Sequence, residues 1–224
     1  MKNVMKSFLK SILPKQLLSL GRKYLSDREM IHWKKYRLED EHTSGARIVA
    51  NRSALLKYLP KGGVVAELGV DKGLFSQQII ESCKPEKLHL VDVWASERFN
   101  EQKASNVSRI FKKQIDNGSV ILNRKLSTEV VSEFDDFYFD WIYIDTDHTY
   151  ENTLLELKVF AKKIKIGGYI AGHDYSMGNW LTGAKFGVIE AVSEFCVTEG
   201  WKLVFLTADY TENQSFVITR IVED

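Results

Sequence analysis

The residues of this 224-residue chain best suited to chemistry lie in two short clusters, Asp145-Thr146-Asp147-His148 and His173-Asp174. Carboxylates with an imidazole form a hard oxygen and nitrogen donor set that suits Mg²⁺ or Mn²⁺. A histidine beside them can also move a proton near neutral pH. Taken singly, each aspartate reads as a helix cap or turn residue. The case for a shared cation therefore depends on what brings the clusters together.

The flanking residues supply that scaffold. Trp141-Ile142-Tyr143-Ile144 is a short apolar run, rich in β-branched and aromatic residues, that stops at the first cluster. Tyr169-Ile170-Ala171-Gly172 stops in the same way at the second. Between them Leu154, Leu157, Ala161 and Ile164 recur at helical spacing. Lys162, Lys163 and Lys165 suit a helix C-terminus, and Gly167-Gly168 is expected to end the helix. Strand, helix and strand make one βαβ unit. Its strands are parallel, and if adjacent their carboxyl ends sit about 5 Å apart on one edge. That edge is where open α/β sheets bind ligands.

A second constellation, Glu67-Leu68-Gly69-Val70-Asp71-Lys72-Gly73-Leu74-Phe75-Ser76, follows a strand and opens a helix. Gly69 and Gly73 stand where the backbone must turn tightly and let a ligand approach. Asp92 closes the next strand, where an acid can hold a ribose diol. A dinucleotide would require Gly-x-Gly-x-x-Gly, and Asp71 occupies the second glycine's place with a charge that opposes a pyrophosphate. S-adenosylmethionine, a sulfonium and ammonium without phosphate, suits Glu67 and Asp71 better than NAD does.

Strand and helix signals alternate over Val64–Leu68, Phe75–Glu81, Lys87–Val91, Ser105–Ile115 and Val120–Leu122. A helix carrying Val188, Ala191, Val192 and Phe195 follows the βαβ unit, and Trp201–Thr207 and Ser215–Thr219 close the chain as an antiparallel pair. The fold class is α/β: a doubly wound, mostly parallel, seven-stranded Rossmann-like sheet with a C-terminal hairpin and an N-terminal helical extension.

The composition, 44% hydrophobic and 27% charged, suits one well-buried domain. The division expected is residues 1–45 as a basic amphipathic extension or lid and 46–224 as the catalytic domain. Of the net charge of +1, residues 1–26 hold six basic groups and no acid, which leaves the remainder at −5. Met5, Phe8, Leu9, Ile12 and Leu13 form one helical face before Pro14. That face can pack on the protein's own core or a partner, or lie on an anionic membrane. Cys83 and Cys196 match no metal or redox spacing and read as buried thiols. With no secretory signal and no 18-residue apolar run, the chain is expected in the cytoplasm, with peripheral contact at the inner membrane face through residues 1–26 as the variant.

The segments ELGVDKG, LVDVW and YIDTDHTYENTLLELKVFAKKIKIGGYIAGHDY together resemble class I S-adenosylmethionine-dependent methyltransferases. The resemblance spans roughly residues 45–220 and is strongest to the metal-dependent O-methyltransferases that act on sugars in macrolide and aminocoumarin antibiotics. Catechol-type O-methyltransferases are more distantly similar. The resemblance implies that Glu67, Gly69, Gly73 and Ser76 form the methionine end of the cofactor site, beside Asp145. It implies that Asp92 binds the ribose and that Ser127 lies near adenine. Asp145, His173 and Asp174 would hold the cation, position 173 being acidic in many relatives. His148 would be the general base, Asp147 being its counterpart in others. Trp94, Tyr175 and Trp180 can stack on an acceptor or simply anchor loops.

The activity implied is methylation of a sugar hydroxyl in a glycan, glycolipid or secondary metabolite. The partner expected is a small-molecule or glycan acceptor and not a nucleic acid, with a homo-oligomer left open. A noncatalytic S-adenosylmethionine-binding protein that docks through its N-terminal helix is the alternative.

Overall fold

The structure is a computed structural model and describes residues 36–179 and 183–222. The N-terminal helices expected within residues 1–35 and the edge residue Trp180 lie outside the described residues. In chain order the elements are α1 (Asp40–Thr43), β1 (Arg47–Val49), α2 (Arg52–Leu55), β2 (Val64–Leu68), α3 (Leu74–Cys83), β3 (Lys87–Val91), α4 (Glu101–Ile110), α5 (Lys112–Asp116) and β4 (Val120–Asn123). They continue as α6 (Ser127–Val130), β5 (Phe139–Ile144), α7 (Tyr150–Ala161), β6 (Ile164–Gly172), β7 (Gly178–Asn179), β8 (Ala184–Lys185), α8 (Val188–Glu199), β9 (Trp201–Thr207) and β10 (Phe216–Arg220).

One sheet of eight strands runs in the order β1-β9-β10-β6-β5-β2-β3-β4. The run from β6 through β5, β2 and β3 to β4 is parallel, and β10 is antiparallel to both of its neighbours. The strand beyond the expected seven is β1, three residues that pair parallel with β9. A strand that short carries no readable alternation, which is why the sequence did not announce it.

The chain winds from β2 through β3 to β4 on one side and from β5 to β6 on the other. The reversal falls between β2 and β5, and ligands collect at such a switch point. Side chains alternate between two cores. Phe139, Ile142 and Ile144 of β5 join the cluster under α7 and α8, whereas Trp141 and Tyr143 join the one under α3 and α4.

The βαβ unit differs in one detail from its expected form. Helix α7 stops at Ala161, and Ile164 already opens β6 opposite Phe139. Ile164 continued the helical apolar spacing because it enters the same core from a strand. Gly167-Gly168 therefore sits inside β6, where the register shifts between Phe139 and Trp141. Gly167 has φ +75°, and a Cβ on Gly168 would stand 2.6 Å from the Asp140 carbonyl oxygen. These glycines mark a bulge, not a helix stop.

Candidate active site

The turn after β2 is built from left-handed residues. Gly69 has φ +90°, Asp71 φ +50° and Gly73 φ +76°. A Cβ on Gly73 would stand 2.9 Å from the Phe111 ring. Asp92, at the end of β3, closes this turn: one carboxylate oxygen accepts the backbone N–H of Val70 at 2.9 Å and of Asp71 at 3.0 Å, and the other accepts that of Trp94 at 3.0 Å. The Asp71 carboxylate pairs with Lys103 of α4, so its charge is met within the protein. Trp94 is buried, and its indole N–H donates to the Asp71 carbonyl at 3.0 Å. It braces the turn instead of offering a platform to an acceptor.

Glu67 lies in the middle of the sheet, buried, with the equally buried Ser76 hydroxyl donating to it. Burial pushes its carboxyl up to about 8 despite that hydrogen bond, so it holds its proton near neutral pH. Ser127 opens α6 after β4, and its hydroxyl donates to the buried Glu156 of α7.

The clusters behind β5 and β6 converge as the parallel register requires. Ile144 faces Gly172, and the His173 N–H donates to the Ile144 carbonyl at 2.9 Å. Asp145, His148 and Asp174 each offer a ligand atom, and these atoms lie within 4.8 Å of one another. His148 Nδ1 is 2.9 Å from Asp174 Oδ2. His173 Nδ1 is 3.3 Å from the same oxygen and 3.8 Å from Asp145 Oδ1. Asp174 holds φ +56°, a left-handed conformation that aspartate adopts at a cost and that here turns its carboxylate into the cluster. Asp147 stands apart: it is exposed and accepts the Thr149 N–H at 2.7 Å, at the start of α7.

The charges within the cluster are interdependent. Burial raises the Asp145 carboxyl, with Asp174 adding to the effect and His173 opposing it. Burial works the same way on Asp174, but hydrogen bonds from both histidines hold it well below the usual carboxylate range. Burial lowers His148 and His173, yet their bonds to Asp174 and the nearby acids leave both raised overall. The two carboxylates thus favour the protonated form of each imidazole, and burial opposes it.

Three residues that sequence reasoning missed complete the surroundings. Arg52 of α2 places NH1 3.7 Å from Asp145 Oδ2 and Nε 3.0 Å from Glu212 Oε2, with its guanidinium 4.8 Å over the Phe75 ring. Glu212 Oε2 lies 4.0 Å from His173 Nε2, and the Asn213 amide donates to Asp174. Arg52 precedes the sheet's first long strand and Glu212 lies in the β9–β10 turn, so only closure of the sheet brings them together. No local spacing signalled them.

The donor set fits a divalent cation. Two carboxylates and two imidazoles converge on one edge, and His173 Nε2 is buried without a hydrogen-bond partner among the described residues. A buried ring nitrogen with only the Glu212 carboxylate nearby, at 4.0 Å, is an atom that a ligand would satisfy.

The family described as a methyltransferase domain matches residues 66–175. That segment is similar to a methyltransferase domain. The match takes in the residues expected to hold cofactor and cation and to act as base, from Glu67 to Asp174, and leaves Arg52 and Glu212 outside it. Solved structures show the same fold. A Corynebacterium glutamicum protein matches at 12% identity and TM-score 0.56, over 99% of this chain and 98% of that one. A Streptococcus mutans protein described as a methyltransferase, solved in complex with SAH, matches at 14% identity and TM-score 0.55, over 76% and 96%. A SAM-dependent methyltransferase from Aquifex aeolicus matches at 15% identity and TM-score 0.54, over 74% and 86%. No curated protein matches the chain in sequence. Among the described residues no helix is long and apolar enough to cross a membrane.

Proposed function

We propose that the protein is an S-adenosylmethionine-dependent O-methyltransferase that uses a divalent cation, Mg²⁺ or Mn²⁺, and acts on a sugar hydroxyl of a glycan, glycolipid or secondary metabolite. The observation that carries this reading is the convergence of Asp145, His148 and Asp174 beside the Gly69–Gly73 turn. Those side chains offer the oxygen and nitrogen donors that such a cation takes.

S-adenosylmethionine supplies a methyl group activated on a sulfonium. A cation held by Asp145, Asp174 and His173 would polarise the acceptor hydroxyl and lower its pKa. His148 removes the proton: its Nδ1 is held by Asp174, which leaves Nε2 for the substrate. Phe186 lies against the His148 ring at 4.7 Å and limits its tilt. Glu67, Gly69 and Gly73 shape the methionine end of the cofactor site, Asp92 takes the ribose and Ser127 the adenine. A nucleic acid is not the acceptor proposed, because the chain beyond residue 26 carries a net −5.

Calorimetry with S-adenosylhomocysteine tests the cofactor half of this reading, and a Mg²⁺ or Mn²⁺ titration of the same protein tests the cation half. Binding of both, with the cation lost in Asp174→Ala, is expected. Failure to bind S-adenosylhomocysteine overturns the reading.

A further inference from the structure

The two ring nitrogens of His173 stand in different surroundings. Nδ1 lies 3.3 Å from Asp174 Oδ2 and 3.8 Å from Asp145 Oδ1, on the side where the carboxylates converge. Nε2 is buried without a hydrogen-bond partner among the described residues, and Glu212 Oε2 lies 4.0 Å from it. A neutral imidazole that binds a cation through one nitrogen carries its proton on the other, and that second nitrogen then needs an acceptor. A carboxylate in that place fixes both the tautomer and the orientation of the ring. The gap of 4.0 Å is about 1 Å longer than such a hydrogen bond, a distance that rotation of a glutamate side chain closes.

The turn that carries Glu212 is held firmly. Asp209 accepts the Thr211 backbone N–H at 2.9 Å and the Thr211 hydroxyl at 2.7 Å, and the Gln214 amide donates to the Asp209 carbonyl at 3.1 Å. The turn is pinned to the loop after β6 at Tyr175, whose N–H donates to the Gln214 carbonyl at 2.8 Å. Consecutive residues of the turn then meet consecutive residues of the loop: Asn213 donates to Asp174, and Glu212 approaches His173. Arg52 Nε also lies 3.0 Å from Glu212 Oε2. An arginine has donors only, so it cannot satisfy the Nε2 proton itself.

We propose that Glu212 is a positioning residue of the cation site, accepting a hydrogen bond from His173 Nε2 and so presenting Nδ1, beside Asp145 and Asp174, as the ligand atom. The proposal rests on the cation reading above and deepens it, because it gives the β9–β10 turn a part in holding the metal. Glu212 also neighbours Arg52, and Arg52 lies beside Asp145, which is a second route by which loss of the glutamate would weaken cation binding. A double-mutant cycle separates the two routes.

The test is the Mn²⁺ affinity of the full chain, measured by calorimetry in wild type, Glu212→Leu, His173→Ala and the double variant. Glu212→Leu is expected to bind Mn²⁺ about 10- to 100-fold more weakly than wild type. In the His173→Ala background the same substitution is expected to change the affinity by less than about 2-fold, because its target is gone. An unchanged affinity in the single variant overturns the proposal. So does an equal loss in both backgrounds, which would assign the effect to Arg52. If Glu212→Leu does not fold, Glu212→Gln and Glu212→Ala are compared instead, and an equal affinity in those two and wild type overturns the proposal. If His173→Ala binds too weakly for the cycle, nitrogen NMR of the Mg²⁺-bound protein decides. The His173 Nε2 resonance is expected to differ between wild type and the Glu212 variant, and identical resonances overturn the proposal. Wild type that binds S-adenosylhomocysteine but no Mn²⁺ overturns the cation reading itself, and the part assigned to Glu212 falls with it.

Discussion

Gly69 and Asp145 meet across the switch point of the sheet: the carbonyl oxygen of Asp145 occupies the space where a side chain on residue 69 would begin. The Asp145 N–H in turn donates to the Leu68 carbonyl at 2.7 Å. The turn proposed for the cofactor and the strand end proposed for the cation are therefore one piece of backbone. A change in either half displaces the other.

Gly69→Ala should be costly for that reason. The substitution meets backbone, which cannot swing aside, and it forces φ +90° on a residue with a Cβ. Urea denaturation should show a loss of roughly 2–4 kcal/mol, with S-adenosylhomocysteine binding weakened as well. Unchanged stability would mean that the two backbones do not approach this closely.

His148→Ala separates proton transfer from cation binding. Loss of a positioned base lowers kcat by about 10²- to 10⁴-fold. The cation affinity should survive, since Asp145, Asp174 and His173 remain. If the Mg²⁺ titration is abolished while that of His173→Ala is intact, the two histidines exchange roles.

Much of this site was legible in the sequence, because it is made from strand ends. The strand runs ending at Asp145 and at His173-Asp174 announced themselves by their apolar composition, and the parallel crossover required their ends to meet. Arg52 and Glu212 were invisible, since a short helix before β2 and a hairpin turn approach only once β9 and β10 have joined the sheet. The same limit applies to partners. Asp71 was read as facing the cofactor and Trp94 as either a stacking platform or a loop anchor, yet Lys103 neutralises the first and the fold buries the second as an anchor. Composition shows that a charge exists, and the fold decides what satisfies it. Gly167-Gly168 misled for a local reason, because a glycine pair after a lysine-rich run looks the same whether it ends a helix or bends a strand.

Glu67 makes stability depend on pH. Its carboxyl titrates at about 8 in the folded protein against an ordinary 4.5, so the native state keeps a proton that the unfolded chain releases. The resulting stability is fully present below pH 4.5 and is lost as pH rises towards 8. Wild type should lose a few kcal/mol across that window. Glu67→Gln should show a flatter profile in urea melts taken from pH 5 to 8; parallel profiles would contradict a buried, protonated Glu67.

Arg52 and a bound cation compete for Asp145. The guanidinium lies 3.7 Å from one carboxylate oxygen, and both side chains are three-quarters buried, so water screens the competition only in part. Arg52→Met should therefore raise the affinity for Mg²⁺ by roughly 3- to 10-fold. A fall in affinity would mean that Arg52 orders the carboxylate instead of opposing the metal.

The most direct test is transfer of a labelled methyl group from S-adenosylmethionine to acceptors in a host extract, run in Mg²⁺ and again in excess chelator. Transfer in Mg²⁺ is predicted, with a fall of at least about 10²-fold in chelator and in Asp145→Ala or Asp174→Ala. Label that moves undiminished in excess chelator would contradict the account.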